Sequence, residues 1–220
     1  MDWGILSIDK IIINIGDYPL SYIEFVGTLL YFGSVWLISV KNRLTWPVGI
    51  VSVVLYGILF YQIQLYSDMI EQFYYLGISF MGWISWNKIE KNEEKIPTKW
   101  SSKNELFLWI VFVAIASLLL AQFSSNLNLL LPEIFPDPAS YAGLDAVTTV
   151  MSFVAMYLIT IRRNESWVYW IVVDVLGIYL YWIKDVRFIA IQYIFLLFIA
   201  VWGLITWSRL GKERTDRSNI

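Results

Sequence analysis

The chain has no cysteine and no histidine in 220 residues. The first absence excludes a disulfide frame, thiol chemistry and any cysteine-held metal. The second removes the commonest metal ligand and general base. Charge is scarce too: 15% of residues are Asp, Glu, Lys or Arg, against about a quarter in soluble domains. What remains is apolar, 58% hydrophobic with a mean hydropathy of +0.61, the composition of a polytopic membrane protein. The net charge of -2 decides little, because the position of positive charge matters more than the sum. No signal peptide is expected: MDWGILSIDKIIINIGDYPLS lacks a basic start, and its apolar run is short and broken.

Seven apolar stretches follow, near 22–40, 46–63, 68–86, 105–123, 141–161, 167–183 and 187–207. Each approaches the roughly 20 residues that cross the hydrocarbon as a helix. Ser21 with Glu24, and Asp68 with Glu71, have capping-box character at helix starts. Pro47 suits a first helical turn, where its missing N–H costs nothing. Residues 1–20 are expected to be an interfacial segment. Seven crossings put the termini on opposite sides. Thirteen Lys and Arg then fall on the side of the C-terminus, among them Lys41, Arg43, Lys99, Arg162 and Arg209, and only Lys10, Lys184 and Arg187 on the other. The positive-inside rule places the N-terminus outside and the C-terminus in the cytoplasm.

A shift of 121 residues superimposes the two ends of the chain. Trp46 meets Trp167, Gly82 meets Gly203, Trp86 meets Trp207 and Lys41 meets Arg162. Chance apolar matching does not easily give two Trp pairs and a Gly pair in one register. The expected fold is all-α and integral to the membrane, with seven transmembrane helices as 3+1+3: two parallel three-helix repeats, SWEET-like, joined by a linker helix. The segments are 1–20, the repeat 21–87, a cytoplasmic loop with linker helix and outer loop at 88–140, the repeat 141–208 and a cytoplasmic tail at 209–220. In such folds the substrate sits near the midplane between the halves.

Asp174 lies midway along the sixth stretch, WVYWIVVDVLGIYLYWI. A carboxylate at bilayer depth is expensive and is a functional residue by default; its bland alternative is a hydrogen bond that glues two helices. Trp167, Trp170 and Asp174 share one helical face. Their repeat equivalents for Trp170 and Asp174 are Gly49 and Val53, so the two halves are decorated differently, as one asymmetric ligand would require. Gln72, Tyr75 and Ser79 line a face of the third stretch, and Gln192 and Tyr193 lie in the seventh. These eight are the candidate substrate-binding residues. Trp46, Trp86, Trp167 and Trp207 also read as interfacial anchors, and Glu24, Asp68, Glu71 and Asp145 as acids favoured by helix N-termini.

The runs YIEFVGT (22–28), WPVGI (46–50), FYQIQLYSD (60–68) with Gln72, GWxxW (82–86), PEIFPDP (132–138) and Glu165-x-Trp167-x-x-Trp170 leading into Asp174 resemble the PnuC vitamin transporters over nearly the whole chain. The resemblance implies uptake of nicotinamide riboside across the bacterial inner membrane by facilitated diffusion, with cytoplasmic phosphorylation retaining the product. It implies homotrimers of seven-helix protomers, a small-molecule substrate, a lipid bilayer as surroundings, no cofactor and no nucleic-acid partner. The family's pocket uses a Trp and, four residues on, an amide; Trp170 and Asp174 occupy those positions, with Asp departing from the amide. A thiamine carrier or another nucleoside-like carrier is the nearest alternative, and an integral-membrane enzyme or a scaffold are the distant ones.

Overall fold

A computed structural model describes residues 3–15, 18–63, 66–88, 96–130, 133, 141–183 and 187–218. The outer-loop motif at 132–138, apart from Glu133, and most of the charged loop at 88–95 lie outside them. The chain forms two compact units, Met1–Ile96 and Pro97–Ile220, so the division falls inside the connecting segment expected at 88–140.

The first unit opens with a 3-10 turn at Gly4–Leu6 and an antiparallel hairpin, β1 (Ile11–Ile15) and β2 (Tyr18–Ser21). Four isoleucines in IIINI give β1 its strand propensity. All five of its residues are exposed. The segment is fastened to the end of a transmembrane helix: Gln62 Nε2 donates to the Leu6 carbonyl at 2.8 Å, the Ile8 N–H donates to Gln62 Oε1 at 3.2 Å, and Trp3 meets Tyr61 edge-on.

Three helices follow, α1 (Tyr22–Ser39), α2 (Thr45–Gln62) and α3 (Tyr66–Asn87). They pack in sequence, α1 on α2 and α2 on α3. Ser21 caps α1, and Pro47 sits in the first turn of α2. Asp68 lies inside the first turn of α3, not at its cap, because the helix starts two residues earlier than the pattern suggested.

The second unit contains α4 (Lys103–Ser125), the short α5 (Leu127–Leu130), α6 (Ala142–Thr160), α7 (Ser166–Ile183) and α8 (Arg187–Ser218). Here α6 packs on α7, α7 on α8, and α4 on α6. Ser117 is the one buried residue of α4. The backbone of α8 stays helical through Ser218, so the polar tail expected from 209 continues the last helix.

Among the described residues, six helices are long and apolar enough to cross a membrane: Tyr22–Ser39, Thr45–Gln62, Lys103–Ser125, Ala142–Thr160, Ser166–Ile183 and Ile189–Arg209. The seventh expected crossing corresponds to α3. It has 22 residues, but Asp68, Glu71 and Gln72 crowd its first turns and dilute its apolar character.

Helix starts recur at the 121-residue shift when each unit is taken by itself. Helices α2 and α3 begin at 45 and 66, and α7 and α8 at 166 and 187. The turns between the first two helices also correspond. Lys41 and Arg162 both take left-handed backbone with φ 61°. Ser39 Oγ donates to the Trp36 carbonyl at 2.7 Å, and Thr160 Oγ1 to the Tyr157 carbonyl at 2.7 Å. Each hydroxyl adds a second donor to a carbonyl that already accepts a backbone N–H, from Val40 in the first turn and from Ile161 in the second.

The four repeat-matched tryptophans are not interfacial anchors. All are buried, with 0–1% of their surface exposed. Trp46 packs edge-on to Trp86 at 5.2 Å, and Trp167 edge-on to Trp207 at 5.6 Å. Each pair is possible because a glycine on the neighbouring helix makes room. A Cβ on Gly82 would stand 2.2 Å from the Trp46 ring, and one on Gly203 would stand 2.6 Å from Trp167. Edge-to-face indoles contribute about 0.5–1.5 kcal/mol beyond the area they bury.

Candidate functional site

Helix α7 carries the site, and its N-terminal end is fixed by a second segment. The strand-like stretch around Lys99 pairs with the α6–α7 turn: Lys99 N–H donates to the Arg162 carbonyl at 3.2 Å, and Asn164 N–H to the Lys99 carbonyl at 3.0 Å. Glu165 Oε2 accepts from the Ser101 N–H at 3.2 Å. Arg163 forms an ion pair with Glu105 at 3.0 Å. Sequence reasoning singled out Glu165 only as part of a motif. Its partner lies 64 residues away, a separation that no local pattern encodes.

From this clamped end, Trp167 points into the buried indole pair already described, which makes it a packing residue. Trp170, one turn on, is half-buried and has no ring or hydrogen-bond partner among the described residues. Asp174, a further turn on, is 2% exposed. Among the described residues no hydrogen-bond donor or cation meets its carboxylate. The alternative of helix-gluing hydrogen bonding therefore finds no partner within the described residues of the protomer.

Below Asp174 the same face continues through Gly177 and Tyr181, at i+3 and i+7. Tyr193 of α8 closes over Gly177: a Cβ there would lie 2.6 Å from its ring. Tyr193 also stacks on Tyr181 with centroids 5.5 Å apart and planes 19° from parallel. The glycine is thus the gap into which an aromatic ring fits, one turn from the carboxylate. Gln192, next to Tyr193, is half-buried, and its amide has no partner among the described residues.

In the first unit, Gln72 takes the place that Tyr193 has in the second. It rests on Gly57 of α2, where a Cβ would stand 3.7 Å from Gln72 Cβ, and its Nε2 donates back to the Asp68 carbonyl at 3.2 Å. Tyr75, half-buried, meets Tyr74 edge-on, and Ser79 is buried. The structure therefore gathers Trp170, Asp174, Gln192 and Tyr193 on the α7–α8 pair, and Gln72, Tyr75 and Ser79 on α3 beside α2.

No Lys or Arg lies within α1, α2, α3, α6 or α7. An unpaired buried carboxylate is held at a cost of several kcal/mol, which a cationic ligand would offset. Trp170 supplies an aromatic face of the kind that attracts cations.

The apolar helices of membrane-spanning length make this a polytopic membrane protein, and one of them carries the buried Asp174 a turn away from the Trp170 indole. Residues 21–209 match the family described as the nicotinamide mononucleotide transporter, and the chain belongs to that family. It is a transporter, not an enzyme. It is 27% identical over 234 residues to the nicotinamide riboside transporter PnuC of Escherichia coli K12, spanning 96% of this chain and 97% of that one. It is 25% identical to the riboflavin/roseoflavin transporter RibM of Streptomyces davaonensis, over 87% of this chain and 86% of that one. The crystal structure of a vitamin B3 transporter PnuC shares the fold, with a TM-score of 0.69 at 23% identity, covering 87% of this chain and 83% of that one.

Proposed function

We propose that the protein imports nicotinamide riboside by facilitated diffusion with alternating access. The observation that carries the reading is the buried Asp174 carboxylate, without a partner among the described residues and one turn from the open face of Trp170. The pyridinium of nicotinamide riboside supplies the missing positive charge and a flat ring. Trp170 takes the ring by cation–π attraction. Asp174 neutralises the charge or accepts from ribose hydroxyls, and Gln192, on the helix packed against α7, serves the ribose or carboxamide. Trp167 holds α7 in place from behind.

The same electrostatics favour the riboside over its mononucleotide. A phosphate group would bring about two negative charges beside Asp174, on a helix, α7, that has no Lys or Arg. The similarity to a riboflavin carrier keeps a second reading in view, a neutral or differently charged heteroaromatic vitamin; thiamine is the cationic version of it. Asp174 argues for a cation in either case.

The fuller reading is a protomer of two parallel three-helix repeats joined by α4, in the manner of SWEET-type carriers. It sits in the bacterial inner membrane as a homotrimer, with the N-terminus outside and the C-terminus in the cytoplasm. Phosphorylation after entry retains the product. The support is the repeated helix starts and turns and the excess of basic residues on one side.

Uptake of labelled nicotinamide riboside into proteoliposomes tests the function. It should run down the riboside gradient without ATP or an ion gradient, and excess thiamine or riboflavin should compete poorly. Uptake that requires a proton or sodium gradient would end the facilitated-diffusion reading. Trp170→Ala is expected to weaken riboside binding about ten- to thirty-fold, the size of a desolvated cation–π contact, with an unchanged unfolding temperature in detergent. If that variant cannot be obtained folded, Trp170 is a packing residue.

A further inference from the structure

Two helices begin with the same signature, Ser-x-x-Glu, and use it differently. At α4 the capping box is complete. Ser102 Oγ accepts from the Glu105 N–H at 3.3 Å, and the Ser102 N–H donates to Glu105 Oε2 at 2.8 Å. At α1 only the serine half forms: Ser21 Oγ accepts from the Glu24 N–H at 3.3 Å. Ser21 is also the last residue of β2 and pairs with Ile11, so its main chain belongs to the hairpin. The Glu24 carboxylate turns away from the cap and accepts from the Tyr18 hydroxyl. Among the described residues it meets no cation.

An aromatic wall continues from this acid. Glu24, Thr28 and Tyr31 share one face of α1, at i, i+4 and i+7. Thr28 Oγ1 and the Tyr56 hydroxyl share a hydrogen bond of 2.9 Å. Tyr31 meets Tyr56 edge-on at 6.2 Å, and Tyr56 stacks on Phe60 at 5.6 Å. Glu24, Tyr31 and Tyr56 are half-buried, accessible and not sealed in. Burial, and then the bond to Glu24 and its charge, push the Tyr18 phenol above the ordinary tyrosine range. Tyr18 therefore remains a proton donor to the Glu24 carboxylate. The repeat does not demand this wall: Tyr31 and Tyr56 become Ser152 and Gly177 in the second copy.

A fixed acid beside aromatic faces, with no cation of its own, is suited to a flat organic cation. We propose that Glu24, with Tyr18, Tyr31 and Tyr56, is a second binding station for the cationic ring of the substrate, distinct from Asp174. It rests on the nicotinamide riboside reading for the identity of that cation. Its effect is on capture: a negative charge in an aromatic setting raises the local concentration of a cation, and added salt weakens the attraction.

The test measures riboside uptake in proteoliposomes against concentration, at low and high salt, for wild type, Glu24→Gln, Glu24→Asp and Tyr18→Phe. Glu24→Gln should raise KM about fivefold or more, the scale of one exposed cation–aromatic–acid contact, leave the saturating rate unchanged and lose the salt dependence of KM. Glu24→Asp should restore part of it, and Tyr18→Phe should fall between. The uncharged dihydronicotinamide riboside should inhibit wild type and Glu24→Gln alike. An unchanged KM and salt dependence in a Glu24→Gln protein that unfolds at the wild-type temperature would overturn the proposal. So would a lowered unfolding temperature with both kinetic constants reduced, since that marks a structural role. If wild type takes up no riboside, the substrate reading fails separately. The station is then tested alone by N-methylpyridinium binding, and equal binding to wild type and Glu24→Gln overturns it.

Discussion

Asp174→Ala is expected to weaken nicotinamide riboside binding by at least a hundredfold and to abolish uptake at micromolar substrate. Removing one member of a buried charge pair costs about 3–5 kcal/mol, and here the second member is the ligand. Stability should move the other way. In the free protein the carboxylate is 2% exposed and has no partner among the described residues, so alanine removes a burial penalty without removing a bond. The unfolding temperature in detergent should stay level or rise. A residue that glued two helices would behave oppositely, losing stability along with function. Asp174→Asn separates charge from shape. The amide keeps a hydrogen-bonding group at the position. It should retain riboside transport with affinity reduced about thirtyfold, or about 2 kcal/mol, within the range typical of hydrogen bonds to charged groups, and should bind uncharged dihydronicotinamide riboside as wild type does. Equal loss for charged and uncharged ligands would show that geometry, not charge, is what Asp174 supplies.

Gly82→Ala and Gly203→Ala should each destabilise the protein by about 1–3 kcal/mol, the usual cost of forcing a methyl group into a filled core. The new methyl carbon would meet Trp46 at 2.2 Å in the first case and Trp167 at 2.6 Å in the second. An indole is rigid, and each is fully buried against a second one, so neither ring can swing aside. Gly33→Ala and Gly77→Ala are the controls. Nothing lies within 4 Å of a Cβ at either position, and both sit inside helices, where alanine is favoured by about 1 kcal/mol. Thermal unfolding in detergent should therefore show two lowered midpoints and two that are level or raised. If all four substitutions behave alike, the tryptophan–glycine contacts do not organise the repeats.

Much of this was legible in the sequence, and the reasons differ from residue to residue. The 121-residue register stood out because tryptophan and glycine are uncommon and were matched together. The structure gives their pairing a cause, since each glycine makes room for an indole 36 positions away in sequence. The same tryptophans were misread as interfacial anchors because their place near helix ends is all a linear pattern reports. The glycine that buries each one comes from another helix. IIINI was read as part of an interfacial segment, and five apolar-rich residues do not distinguish strand from helix; pairing with Tyr18–Ser21 decides it. Ser21 and Glu24 had the spacing of a capping box, but the spacing does not disclose that the hairpin occupies the cap and frees the acid. The Lys99–Asn164 and Ser101–Glu165 bonds that fix α7 are long-range and left no local trace. Asp174 could be picked out from the sequence alone, because nothing in its own turn of helix explains a carboxylate there.

Calorimetric titration of nicotinamide riboside, thiamine and nicotinamide into the detergent-purified protein, with Asp174→Ala alongside, tests the central claim most directly. Selective binding of the riboside, lost in Asp174→Ala, is the expected result. Tight binding of thiamine in preference to the riboside, or riboside binding that survives the loss of Asp174, would contradict it.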